Sequence, residues 1–103
     1  MIAILQATYP THVFKQVVQA YTSSEIPKRP DSVRELSSIS YLDDAGAHVV
    51  FTYDVPDAQV AEFLSAQHKR SSFVAFRAPG FNATVHVGQS VVDSIQTAMP
   101  LHP

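Results

Sequence analysis

The chain has 103 residues, a mass of 11.3 kDa, a formal net charge of −2 and a pI near 6.2, which sets one domain with roughly 5,700 Å² of accessible surface when folded. It contains no cysteine, which excludes a disulfide scaffold, a thiolate metal site and a Cys nucleophile. With 46% hydrophobic and 16% charged residues, it is neither disordered nor a polyelectrolyte.

Met1 leads into Ile2-Ala3-Ile4-Leu5 with no basic leader, and Gln6 ends the apolar run. That is too short for a signal-peptide core or a membrane span, so a cytoplasmic protein without membrane contact is expected. Residues 2–8 read as a buried strand ended by Tyr9-Pro10. Pro10 suits the first turn of a helix, and Val13, Phe14, Val17, Val18 and Tyr21 then recur at helical spacing, predicting an amphipathic helix over 10–22. Pro27 and Pro30 mark residues 25–32 as a loop around Lys28-Arg29.

Residues 33–42 read as a serine-rich strand, Asp43-Asp44-Ala45-Gly46 as a turn, and 47–53 as the best strand in the chain, so the three make a hairpin. A second helix begins near Asp54-Val55-Pro56-Asp57, where Asp54 is a candidate cap. It carries Val60, Phe63, Leu64 and Gln67 on one side and is expected to fade at His68-Lys69-Arg70; residues 73–76 stay unassigned. Residues 81–87 alternate as a fourth strand, and Ser90 is expected to cap a short helix through Val91, Val92, Ile95 and Met99, stopped by Pro100. The order βαββαβ predicts an α+β, ferredoxin-like domain over residues 1–88, with a four-stranded antiparallel sheet and helices on one face. Residues 89–103 form a C-terminal extension expected to pack on a partner subunit or at the mouth of a cleft.

Alternation assigns the open sheet face. It takes Ile2, Ile4, Gln6 and Thr8 from the first strand, His48, Val50 and Thr52 from the third, and Asn82, Thr84 and His86 from the fourth. This mixture is too apolar to be plainly wet and too polar for a core, which fits a covered, ligand-sized cleft. With the first and third strands taken as parallel, His48 and His86 fall at one end of the sheet, flanking the first strand at roughly 10 Å. Imidazole is the natural acid and base near neutral pH, so both are candidate catalytic residues. Gln6, Thr52 and Thr84 are candidate ligand contacts. His12, in the first turn of a helix whose dipole disfavours its protonation, is a further one.

The other charged groups read more plainly. His68-Lys69-Arg70 with Arg77 is a basic run able to hold an anion, although such runs are usually solvated. Asp43 and Asp44 are turn residues, and one of the carboxylates Asp43, Asp44 or Asp54 is placed to orient a histidine. No spaced ligand pattern points to a metal, and Gly46, Gly80 and Gly88 make no phosphate loop, so no cofactor is expected. RNA recognition on this fold needs aromatics on the open face of the first and third strands. The first has none, Phe51 and Tyr53 face the helices, and the net charge is negative, so no nucleic acid is expected.

The chain resembles the dimeric α/β-barrel superfamily of small ferredoxin-like proteins. The likeness lies in the element order over about residues 1–88, the Tyr41-Leu42-Asp43-Asp44-Ala45-Gly46 hairpin, and the run Val50-Phe51-Thr52-Tyr53-Asp54-Val55-Pro56-Asp57 leading into Ala61-Glu62-Phe63-Leu64. The resemblance implies two open sheets paired in a homodimer, each subunit with a cleft between sheet and helices or loops. Its members include cofactor-independent monooxygenases, lactone isomerases and dehydratases. The tryptophan of some monooxygenase members is missing here, and the His-Asp pair of another branch corresponds loosely to His12 with Asp43 or Asp44. Two functions follow as expectations. The first is binding of a small, partly apolar molecule in a cleft, with or without cofactor-independent His acid/base chemistry. The alternative is a non-catalytic dimeric interaction module whose open face is only the subunit interface.

Overall fold

Ala3, Leu5, Ala7 and Tyr9 are buried while Ile4, Gln6 and Thr8 between them are exposed, as the two-residue period of a half-covered strand requires. This strand, β1 (Ile2–Tyr9), is central in the computed structural model, which describes residues 1–98. Pro10 precedes a 3-10 turn (Thr11–Val13) that opens α1 (Phe14–Tyr21), and a loop leads to β2 (Arg34–Asp43) and β3 (Gly46–Asp54). A second 3-10 turn (Asp57–Gln59) opens α2 (Val60–Arg77), which is followed by β4 (Asn82–Gly88) and α3 (Val91–Ala98).

The four strands form one antiparallel sheet in the order β2-β3-β1-β4. The molecule is thus an α+β structure compatible with the ferredoxin-like arrangement. Val13, Val17 and Ala20 join Ala7, Tyr9, Val74, Ala78 and Phe81 in one core cluster, and Phe63 packs with Ala3, Leu5, Tyr53 and Val55 in a second. Burying a side chain such as Leu5 or Phe63 stabilises the fold by roughly 1.5–3 kcal/mol. No helix of the described residues is long and apolar enough to cross a membrane.

Three expectations are corrected. β1 and β3 are antiparallel, with Ile2 opposite Asp54 and Tyr9 opposite Ala47. α2 does not fade at His68-Lys69-Arg70 but runs to Arg77, because Gln67 and Val74 continue the buried face begun by Phe63. Ala78 then turns extended before Pro79, as the residue before proline prefers. Asp54 caps no helix: it ends β3 and pairs with Arg34 at 3.2 Å.

At the opposite end, Ser90 Oγ accepts from the Asp93 backbone N–H at 3.1 Å, so the predicted cap of α3 is formed. Met99, Pro100 and His102 lie outside the described residues. The polar side of α3, with Ser90, Asp93 and Gln96, borders a hollow shared with Ile2, Asp54 and Asp57. Its Val91, Val92 and Ile95 are exposed.

Candidate functional site

Register lays the open face out in rows. Tyr41, His48, Thr8 and Asn82 form one row; Ile39, Val50, Gln6 and Thr84 the next; Ser37, Thr52, Ile4 and His86 the third. His48 therefore sits opposite Thr8 near the end of β1, and His86 opposite Ile4 near its start. Four residues along β1 and two strand spacings across it separate the two by about 16 Å. The structure does not bring them together, because the expected pairing rested on a parallel β1 and β3.

His86 is exposed on the edge strand, and Gln6 and Thr84 share one row away from either histidine. Thr52 is engaged across the hairpin, its hydroxyl 2.5 Å from that of Ser37. His12 is exposed in the 3-10 turn.

His48 has a different partner. Its Nε2 lies 2.7 Å from Asp43 Oδ1, an oxygen that also accepts from the Ala45 backbone N–H at 2.9 Å. The turn builds this contact. Asp43 pairs with Gly46, so Tyr41 falls opposite His48 and the Asp43 side chain, bent back by its bond to Ala45, meets the imidazole. Gly46 is required there: its φ is +128°, and a Cβ would stand 2.7 Å from the Tyr9 carbonyl oxygen.

The Tyr41 ring stacks on the imidazole with centroids 4.7 Å apart and planes within 10°. The His48 hydrogen bond is the main cause holding the Asp43 carboxyl below its ordinary value, and the backbone N–H groups of Ala45 and Gly46 add to it. Asp43 is then an anion at neutral pH and can only accept. Nε2 must carry the proton, which leaves Nδ1 of the neutral ring as its basic nitrogen.

On the helix side of the hairpin, across the sheet from this dyad, is an apolar groove of about 420 Å³ reaching the start of α1. Tyr9, Thr11 and Phe14 line one wall, and Ser40, Tyr41, Leu42, Ala47 and His48 the other. Its volume falls within the usual range of small-molecule sites. Burial raises the Tyr9 hydroxyl above its ordinary value, so this group stays protonated. His12, between Thr11 and Phe14 in sequence, does not line the groove.

Among described residues no group of three or more His, Asp or Glu is placed to hold a metal. Sequence reasoning had a histidine and an orienting carboxylate in view but missed Tyr9, Phe14, Tyr41 and Leu42. Tyr41 was recoverable from the turn, since pairing Asp43 with Gly46 puts residues 41 and 48 opposite each other. The Phe14 wall comes from another element and carries no local signal. No family model matches the chain, and no curated protein is significantly similar to it.

Proposed function

We propose that the protein binds a small, partly apolar molecule in the groove between the hairpin and α1. The groove's volume of about 420 Å³ and its apolar walls of Tyr9, Phe14, Leu42 and Ala47 carry this reading. On the open face, the carboxylate on His48 Nε2 fixes the tautomer and leaves Nδ1 suited to take a proton from an acidic O–H or C–H and return it. Such chemistry needs no cofactor. Phe14 and Leu42 supply apolar contact, and the Thr11 and Ser40 hydroxyls supply orientation.

2-Naphthol, an apolar bicycle with one acidic hydroxyl, is a suitable probe by NMR titration of backbone amides. Saturable shifts at Thr11, Phe14, Leu42 and Ala47, lost in Phe14→Ala, are expected. Shifts scattered over the surface, or none at millimolar probe, would refute the reading.

The open face favours a second element of function, a homodimer that closes the dimeric α/β barrel implied by the resemblance. Ile4, Ile39 and Tyr41 are 39%, 62% and 49% exposed on that face, where soluble monomers avoid large apolar patches. The accessible surface of 6894 Å² exceeds the roughly 5,700 Å² of a folded monomer of this mass. If the groove proves inert and the dimer real, the non-catalytic interaction module is the better account. Light scattering is expected to give twice 11.3 kDa at micromolar concentration; a single-chain mass would remove the dimer.

A further inference from the structure

The basic run His68-Lys69-Arg70 divides once α2 extends past it. His68 and Lys69 are exposed, while Arg70 turns inward beneath the loop of residues 22–33. There its Nη1 donates to the Pro27 carbonyl at 2.7 Å. Arg29, on the same loop, lies with its guanidinium carbon 4.5 Å from the centroid of the Tyr53 ring. Burial and, after it, the charge of Arg29 hold the Arg70 guanidinium below its ordinary value.

Among the described residues neither arginine makes an ion pair, and Arg70 Nε is buried without a hydrogen-bond partner. Glu35, opposite Tyr53 in the register, is the carboxylate whose charge reaches Tyr53, yet it is exposed and bonds to neither guanidinium. Bringing two like charges together in a half-buried place is costly unless an opposite charge joins them.

We propose that Arg29 and Arg70 form an oxyanion site between the loop of residues 22–33 and α2, taking a carboxylate or a phosphate group. Guanidinium forks suit both, since each offers parallel N–H donors to paired oxygens. Tyr21 and Tyr53 complete the surroundings. Burial pushes the Tyr21 hydroxyl up to about 12 and raises that of Tyr53, so both remain neutral and add no negative charge against the anion. The site differs from the groove between the hairpin and α1 in residues and in ligand chemistry.

Thermal unfolding at pH 7 in sodium phosphate, sodium succinate and sodium chloride of equal ionic strength tests this. A bound oxyanion is expected to raise Tm by roughly 5–10 °C over chloride at ten times its dissociation constant. Phosphate alone acting identifies a phosphoryl ligand, and succinate alone a carboxylate. The increment should vanish in both Arg29→Met and Arg70→Met. Arg70→Met also loses the tie to Pro27, so Arg29→Met, which keeps an apolar stem over Tyr53, decides if the former fails to fold. Equal Tm in all three salts, or an undiminished increment in Arg29→Met, overturns the site and leaves Arg70 as a strut for the loop.

Discussion

β1 and β2 belong to one sheet and share a period, yet they meet different surroundings. In β1 every second residue is buried beneath α1 and α2; in β2 all ten residues are exposed. No helix covers β2, so Leu42 on the helix side is 72% exposed while Ile39 on the open side is 62% exposed. Alternation reports which residues share a face. Whether that face is covered depends on where the helices sit, and two helices over four strands leave one flank bare. The core half carries stability, and the bare half carries the candidate site and the exposed Ile39, Tyr41 and Leu42.

The sharpest way to break this contrast is to truncate equivalent bulk on each side. Phe63→Ala removes a fully buried ring and is expected to cost about 3–5 kcal/mol, whereas Ile39→Ala in an isolated chain should change stability by no more than about 0.5 kcal/mol. Chemical denaturation at two protein concentrations reads both. A cost for Ile39→Ala that grows with concentration would place β2 under a second copy. Next in size is Gly46→Ala, which forces a Cβ against the Tyr9 carbonyl at a positive φ. A loss of roughly 1–3 kcal/mol is expected, because this turn fastens the bare hairpin to the end of β1.

A smaller effect concerns Asp43. Its lowered value means that folding favours the ionised form, so the contribution is complete above the ordinary carboxylate range and drains away as pH falls through the lowered one. The Tm gap between the protein and Asp43→Asn is expected to be open at pH 7 and to close only as pH falls below the ordinary carboxylate value. A gap independent of pH would mean that the carboxylate charge of Asp43 contributes nothing to the fold. The smallest effect is that of Ser90→Ala, about 1 kcal/mol confined to α3, visible as lost helical secondary shifts over residues 91–96 with the global transition unmoved. Co-operative loss of Tm would instead show that Val91, Val92 and Ile95 are held by other parts of an assembly.

What was legible was local. The β1 alternation, the Asp43–Gly46 turn, the Ser90 cap and the open-face residues follow from periods and dipeptides a few positions long. The β1–β3 direction was decidable but misread: α1 returns the chain so that β2 runs with β1, and a tight hairpin then reverses β3. That single error placed His48 beside His86. The end of α2 was obscured because Ser71 and Ser72 interrupt the apolar pattern before Phe73 and Val74 restore it. Of the site, His48 and its carboxylate were within reach, since five residues and one turn join them. Phe14 and Arg29 were not, for their neighbours lie far along the chain.

The Glu35–Ser37 bulge in β2 has a consequence for the chain while it is being made. β2 is an edge strand, and between the bulge and Asp43 it offers a run from Ser38 to Leu42 whose outer backbone donors and acceptors face no neighbouring strand. That run carries no charge and no proline, and its length and composition approach those of segments that stack into fibrils. The irregular bulge at one end and the anionic Asp43-Asp44 turn at the other interrupt a growing stack. Solubility during synthesis thus rests on those few residues, and straightening the bulge or neutralising the turn would favour inclusion bodies even where the native fold loses nothing.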